Sequence, residues 1–331
     1  MTTSIVLDTP APTTRTTSDF EADVVVTARR AEAEGVVGVT LALPSGEQLP
    51  SWTPGAHIDV ELPAGPTRQY SLCGDPADGG AWRIGVLREA DGRGGSRWIA
   101  DELTEGAILH VRGPRNNFPL QPAARYVFVA GGIGITPLLP MIRAVAAAGG
   151  DWVLHYGGRT RASMAFLGEL AAYGDRVHLH PQDEAGLLDL DAVLGVPAAD
   201  TLAYCCGPTG LIEALEARCR EWPAGALHVE RFTVAPTLPD GADTAFDVVC
   251  ERSGLTVTVP PELTVLEAVG NAGIDVLSSC EEGICGTCET PVLSGEPDHR
   301  DSLLSEEEKA AGDTMMICVS RCRGARLVLD L

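Results

Sequence analysis

The chain has 331 residues, with 24 Lys/Arg against 46 Asp/Glu and a formal net charge of −22. That length predicts two or three domains, and that charge argues against nucleic acid or an anionic membrane as a partner. Hydrophobic residues make up 45%, enough for a sizeable core, yet no apolar run reaches the ~20 residues that span a bilayer. The first residues lack a basic n-region, and their only apolar run is Ile5-Val6-Leu7, so no signal peptide is read there. The ten cysteines do not fall into the paired spacings of a disulfide framework. A reducing, cytoplasmic setting is expected.

Residues 1–19 are rich in Thr and Pro and read as a disordered tail. From residue 20 to 122 short alternating strands are broken by Gly and Pro, among them Ala22–Ala28, Val36–Leu43, His57–Leu62 and Trp82–Val86. That pattern predicts a small antiparallel β-barrel. Within it, Arg68-Gln69-Tyr70-Ser71-Leu72 combines a bidentate phosphate binder, a flat ring and a hydroxyl. Gly92-Arg93-Gly94-Gly95-Ser96 opens an expected helix over 96–102, where glycine amides can meet an anion. Each segment alone reads better as an ordinary surface or turn sequence; side by side they point to a mononucleotide phosphate.

The pattern then changes to alternating strand and helix over 123–232, which predicts a parallel α/β sheet. Expected strands are Tyr126–Ala130, Trp152–Tyr156, Arg176–His180, Thr201–Cys205 and Leu227–Phe232. Expected helices are Leu138–Ala148, Ala162–Ala172, Asp189–Leu194 and Thr209–Arg220. Gly131-Gly132-Ile133-Gly134-Ile135-Thr136-Pro137 follows a strand and opens a helix, the context of a phosphate-cradling loop. It departs from G-x-G-x-x-G because Pro137 stands where the last glycine would be, though proline suits a first helical turn. Cys206-Gly207-Pro208 ends the fourth strand, at the edge of the sheet where open α/β folds bind ligands. Arg159 and Arg161 end the second strand, where they could hold a 2′-phosphate or only a pyrophosphate.

Residues 233–245 read as a linker. Beyond them Phe246–Arg252 and Leu255–Val259 suggest a hairpin, Thr264–Ala272 a helix, and Ser305-Glu306-Glu307-Glu308 a capping box. This C-terminal part supplies the most specific signal. Cys280, Cys285 and Cys288 stand in C-x4-C-x2-C spacing, with Cys318 thirty residues on, the pattern of plant-type [2Fe–2S] ligands. A zinc site would more often pair two short knuckles. Gly283 and Gly286 suit a loop that must approach a cluster closely. From Asp240 to the end there are 18 Asp/Glu and 6 Lys/Arg; this acidity reads equally as a solvated surface or as a docking face for a basic redox partner.

Taken together and in this order, these motifs resemble the phthalate dioxygenase reductase family, which includes the vanillate demethylase reductases. The resemblance runs from about residue 20 to the end and includes Glu230-Arg231-Phe232 and His299-Arg300-Asp301-Ser302. It implies a multidomain α+β and α/β protein: an antiparallel flavin-binding β-barrel, a parallel α/β nicotinamide-binding domain and a C-terminal β-grasp plant-type ferredoxin. It implies FMN rather than FAD, and NADH as donor, although the sequence itself leaves NADPH open. By match, Arg68, Tyr70, Ser71, Gly94, Gly95 and Ser96 would bind FMN, with Ser71 near the flavin N5 and Phe232 covering the ring. Gly132, Thr136, Cys206, Gly207 and Pro208 would surround the nicotinamide cofactor. Cys318 holds the family's fourth-ligand position, while Cys322 stands close enough in sequence to compete. The implied activity is that of a monomeric reductase passing electrons to a Rieske-type terminal oxygenase. A haem-thiolate monooxygenase as acceptor, or a stand-alone flavin reductase or redox sensor, are the other readings.

Overall fold

Period-two alternation of apolar residues builds the first sheet. In the computed structural model, which describes residues 20–63, 67–90, 94–233 and 243–331, six antiparallel strands follow one another. They are β1 (Glu21–Ala33), β2 (Val36–Ala42), β3 (His57–Glu61), β4 (Arg68–Ser71), β5 (Trp82–Leu87) and β6 (Ile108–Arg115), in spatial order β4-β3-β6-β1-β2-β5. The edge strands are β4 and β5, and a bridge between Leu72 and Ile84 joins them. Cys73 N–H donates to the Arg83 carbonyl at 2.8 Å beside it. The sheet therefore closes as a barrel, leaving little unpaired edge. Val24, Val39, Leu41, Ile58, Val60, Trp82, Ile84 and Val111 fill the interior. A short helix, α1 (Gly95–Asp101), adds Ile99 to that core. The expected tail, residues 64–66 and 91–93, and most of the expected linker lie outside the described residues.

The second sheet is parallel. Its strands are β7 (Arg125–Gly131), β8 (Asp151–Gly158), β9 (Val177–Pro181), β10 (Thr201–Cys206) and β11 (Leu227–Glu230), ordered β11-β10-β7-β8-β9. The chain moves outward from β7 to β8 and β9, then returns to β7's other side with β10. The reversal lies between β7 and β10, and a crevice at the carboxyl ends of such a pair is where open α/β sheets take ligands. The main helix, α2 (Ile135–Ala147), buries Leu138, Leu139, Met141, Ile142 and Val145. Burying each such side chain is worth roughly 1.5–3 kcal/mol. The remaining helices are α3 (Leu167–Leu170), α4 (Gln182–Ala185), α5 (Leu190–Leu194) and α6 (Thr209–Arg218).

One expected helix is corrected. Residues 162–172 are a 3-10 turn at Arg161–Ser163, the four-residue α3 and a further turn from Ala171. Thr160 and Ser163 form a capping box, but the chain is already extended at Met164 (φ −86°, ψ 112°) and Phe166 adopts φ 62°. A left-handed residue at that point breaks the helix before Leu167. The barrel and the parallel sheet share one core, since Val36, Cys73 and Phe118 cluster with Phe128, Leu138 and Tyr204. Tyr204 Oη donates to the Pro119 carbonyl at 3.1 Å and accepts from Gln121 N–H at 2.7 Å.

The residues to Glu230 form one compact unit and those from Arg231 another. In the second unit β12 (Phe246–Cys250) and β13 (Leu255–Val259) make the expected antiparallel hairpin. The helix α7 (Val265–Asn271) follows, with Thr264 and Glu267 as its capping box. Then come β14 (Glu289–Ser294), β15 (Pro297–Asp298), α8 (Glu306–Ala311), β16 (Thr314–Met316), β17 (Arg321–Cys322) and β18 (Arg326–Leu329). The sheet order is β13-β12-β18-β14-β16, with β12 and β18 parallel. This mixed sheet with a packed helix is the β-grasp ferredoxin arrangement. Ser305 and Glu308 form the second expected capping box, on α8. Buried Arg321 donates to the carbonyls of Leu263 (2.6 Å), Pro260 (3.1 Å) and Thr244 (3.2 Å), with its guanidinium 5.1 Å from the Phe246 ring centre. It thereby ties the segment after Cys318 to the hairpin and the start of α7. No helix among the described residues is long and apolar enough to cross a membrane.

Candidate functional site

On the barrel, β4 carries Arg68, Tyr70 and Ser71. Period two sends Arg68 and Tyr70 to one side and Gln69 to the other, where Gln69 donates to Asp59 at 2.9 Å. Arg68 lies against the start of α1. A Cβ at Gly95 would sit 2.5 Å from Leu62 and 3.3 Å from the Arg68 side chain. Gly94, at φ 95°, holds the N-cap position. The structure thus brings Arg68 and the Gly94-Gly95 turn together, with the positive φ of Gly94 favouring glycine there. The Ser96 hydroxyl accepts from Glu89 N–H at 3.2 Å. Tyr70 is enclosed, and burial raises its phenol above the ordinary range.

At the switch point two backbones meet. A Cβ on Gly134 would stand 2.2 Å from the Cys206 carbonyl oxygen, and one on Gly131 2.5 Å from Pro208. The glycine loop and Cys206-Gly207-Pro208 are therefore in direct contact, which no larger residue allows. Gly132 has φ 55°, and open space surrounds its missing side chain. Pro137 sits in the first turn of α2, where its missing N–H is harmless. Thr136 is buried, its hydroxyl donating to the Ile133 carbonyl at 2.9 Å. It shapes the loop rather than presenting a free hydroxyl.

One residue of this site was visible in the sequence only as part of a family motif. Parallel pairing sets Cys206 beside Glu230 and Ala130, and Ser71 Oγ donates to Glu230 Oε2 at 3.4 Å. Ser71 from the barrel, Cys206 from β10 and Glu230 from β11 thus converge. The strand-ending position of Glu230 was legible, but its register against Cys206 was not. Burial, followed by the neighbouring Glu230, raises the Cys206 thiol well above its ordinary value, so it serves as a neutral contact and not as a base. Burial also raises the Glu230 carboxyl to about 8, against a smaller lowering by Ser71. Glu230 is partly accessible by surface area, but its carboxyl is enclosed among protein atoms, and the latter governs its charge.

A raised carboxyl binds its proton more tightly in the folded state than in the unfolded one. Its contribution is full below pH 4.5 and is lost as pH rises to about 8. The loss is on the order of 2–4 kcal/mol once partial exposure is allowed for. Thermal unfolding of the cofactor-free chain should show this decline, and Glu230→Gln should flatten it. An unchanged pH profile in that variant would count against a neutral Glu230.

In the second unit, Cys280, Cys285, Cys288 and Cys318 are all buried. Their thiols lie within hydrogen-bonding distance in the chain Cys285–Cys280–Cys318–Cys288. Glu282 N–H donates to Cys280 Sγ at 3.3 Å and Thr287 N–H to Cys285 Sγ at 3.4 Å. Hydrogen bonds from Cys285 and Cys318 pull the Cys280 thiol below its ordinary value, and the same bonds raise the thiols of Cys285 and Cys318. Gly283, at φ 69°, packs on Val319 and Asp301, and its carbonyl accepts from Ser302 N–H at 3.0 Å. Four convergent thiols with backbone donors fit a [2Fe–2S] cluster. Cys322 belongs to β17, opposite Pro297, and its sulfur accepts from Gly324 N–H at 3.2 Å; it is not one of the four coupled thiols. A groove of about 320 Å³ reaches Cys318 between α7 and the cysteine loop, with Glu267, Asp275 and Glu281 among its lining.

Arg159 is exposed at the end of β8, while its neighbour Arg161 pairs with Glu184 at 2.8 Å. Phe232 is half-buried just beyond β11.

Two stretches of the chain match known families. Residues 128–217 match the oxidoreductase NAD-binding domain family and residues 248–323 the 2Fe-2S iron-sulfur cluster binding domain family. The chain is similar to the phenoxybenzoate dioxygenase subunit beta of Ectopseudomonas oleovorans, 46% identical and covering 90% of this chain and 94% of that protein. It is 42% identical to the vanillate O-demethylase oxidoreductase of Pseudomonas putida, over 93% of this chain and 99% of that one. Among solved structures, phthalate dioxygenase reductase matches with TM-score 0.70 and 36% identity, covering 94% of this chain and 98% of that one. An intact type IV self-sufficient cytochrome P450 monooxygenase matches with TM-score 0.87 and 49% identity, over 94% of this chain but only 41% of its own length.

Proposed function

Because the chain belongs to the phthalate dioxygenase reductase family, an NADH-dependent group of oxidoreductases using FMN and a [2Fe–2S] cluster, we propose that it is the reductase component feeding a Rieske-type terminal oxygenase. The observation that carries this reading is the pairing of a nicotinamide-type switch point with a four-thiol shell on one polypeptide. Such a chain takes electrons in pairs and gives them out singly. Relatives named as parts of dioxygenase and demethylase systems supply the oxygenase acceptor.

Each residue then has a task. Arg68, Gly94 and Gly95 would hold the FMN phosphate, with Ser96 steadying the turn from Glu89. Tyr70 would lie against the flavin ring, Phe232 would cover it, and Ser71 would stand near N5. Gly132, Thr136, Gly207 and Pro208 would form the nicotinamide crevice, with Cys206 as a neutral wall, and Arg159 would meet a cofactor phosphate. Cys280, Cys285, Cys288 and Cys318 would bind the cluster. FMN supplies acceptance of a hydride and release of single electrons. Glu230 would keep its proton at Oε1 or Oε2 at neutral pH, so that Ser71 faces no bare negative charge. The reducing cytosol that we propose as its compartment suits ten cysteines with no disulfide between them, and we propose a monomer, checked by its elution as a single chain in gel filtration.

NADH oxidation with this chain should drive turnover of a purified Rieske-type oxygenase from the same genome. A haem-thiolate acceptor is the second reading, favoured by the 49%-identical match within a self-sufficient P450. Turnover with a haem-thiolate partner and none with the Rieske-type one would overturn the first.

A further inference from the structure

A second cluster of charged side chains lies between the barrel and the parallel sheet, away from the crevice. Glu169, on α3, receives both Arg83 Nη1 at 2.5 Å and Nη2 at 3.0 Å from β5 of the barrel. It also receives Arg143 Nη2 from α2. Both arginines reach one further group: Arg83 Nη2 donates to the Cys73 carbonyl at 3.0 Å and Arg143 Nη1 to the same carbonyl at 2.9 Å. Arg143 Nη1 also donates to the Gly74 carbonyl at 2.5 Å. The Arg83 guanidinium stands 5.1 Å from the Phe166 ring centre, and a Cβ at Gly85 would meet Thr136 at 2.8 Å and Phe166 at 3.0 Å.

The connectivity matters. Cys73 lies two residues beyond Ser71, and Arg143 lies on the helix that the nicotinamide loop opens. One carboxylate therefore links the flavin-side strand end to the nicotinamide-side helix. Side chains about a quarter to a third exposed and a bidentate geometry make this stronger than an ordinary surface pair. Burial opposes ionisation of Glu169, but Arg83 and Arg143 outweigh it and hold the carboxyl below its ordinary value.

We propose that Glu169 is a positioning residue for hydride transfer: through Arg83 and Arg143 it sets the barrel's Ser71–Gly74 segment against the Gly131–Pro137 loop. This rests on the NADH–FMN reading of the site. A misplacement of about 1 Å can cost ~10²-fold in such a step.

The test compares wild type, Glu169→Gln and Glu169→Asp. In rapid mixing at saturating NADH, flavin reduction per bound FMN should slow at least about 10-fold in Glu169→Gln, with the NADH dissociation constant little changed, and partly recover in Glu169→Asp. In the FMN-free chain, amide exchange over residues 72–74 and in the first turns of α2 should speed in Glu169→Gln and recover in Glu169→Asp. Unchanged reduction with unchanged exchange overturns the proposal, as does slower reduction without faster exchange. So does a loss explained wholly by lower FMN content. If wild type itself fails to reduce FMN with NADH, the exchange result still decides the link, and it is the site reading that falls.

Discussion

In a Cys285→Ser variant, NADH still reduces the flavin at the wild-type rate, while NADH-driven reduction of cytochrome c falls by about 100-fold or more. The expectation follows from where Cys285 lies. Its sulfur is buried, couples with Cys280 and accepts from Thr287 N–H at 3.4 Å. A serine hydroxyl is a poor thiolate substitute for iron, and even partners of metal ligands are worth ~10–100-fold in affinity. The cluster is lost, but apart from Phe232 the residues proposed for the flavin and the nicotinamide belong to the other compact unit and keep their fold. Cys322→Ser is the control: its sulfur serves Gly324 N–H on a separate strand pair, so cluster absorbance and cytochrome reduction should stay at wild-type level. Normal cytochrome reduction by Cys285→Ser, or loss of the cluster in Cys322→Ser, would overturn this ligand set.

The comparison of these two cysteines shows what spacing alone can carry. C-x4-C-x2-C names three ligands because a tight loop must hold them, and that is local. The fourth ligand depends on a returning strand, so spacing alone leaves Cys322 as a competitor, although Cys318 holds the family's position; the pairing of Cys322 in β17 favours Cys318. The strands and the switch loop were similarly legible, since alternation and glycine placement are local properties. The helix expected at 162–172 failed because the chain is already extended at Met164 and Phe166 turns left-handed. Between them Ala165 N–H donates to Tyr156 Oη at 3.0 Å, a contact that no local pattern reveals. The register of Glu230 against Cys206, and the roles of Arg83, Arg143 and Glu169, were hidden for a deeper reason. Each residue works through a partner from 26 to 159 residues away, and charged residues without short-range spacing carry no motif.

Gly134→Ala should reduce kcat/KM for NADH by about 100-fold while leaving the cluster untouched. Gly134 has φ −61° and ψ −3°, so alanine meets no conformational objection. The obstacle is entirely steric. The new methyl would lie 2.2 Å from the Cys206 carbonyl oxygen, 2.4 Å from its carbon and 2.7 Å from Gly207 N. All three are backbone atoms at the end of a strand paired on both sides, so no side chain can swing away. The loop and the strand end must part by about 1 Å, an overpacking that typically costs 1–3 kcal/mol of stability. The larger effect is on the crevice, because a displacement of that size can cost ~10² in a step that depends on alignment. Gly168→Ala offers the matched control, with ordinary backbone geometry and open space at the methyl position, and should leave NADH kinetics unchanged. Chemical reduction of the cluster in Gly134→Ala should give the wild-type spectrum. Wild-type NADH kinetics in Gly134→Ala would mean that hydride transfer does not use the contact between Gly134 and Cys206.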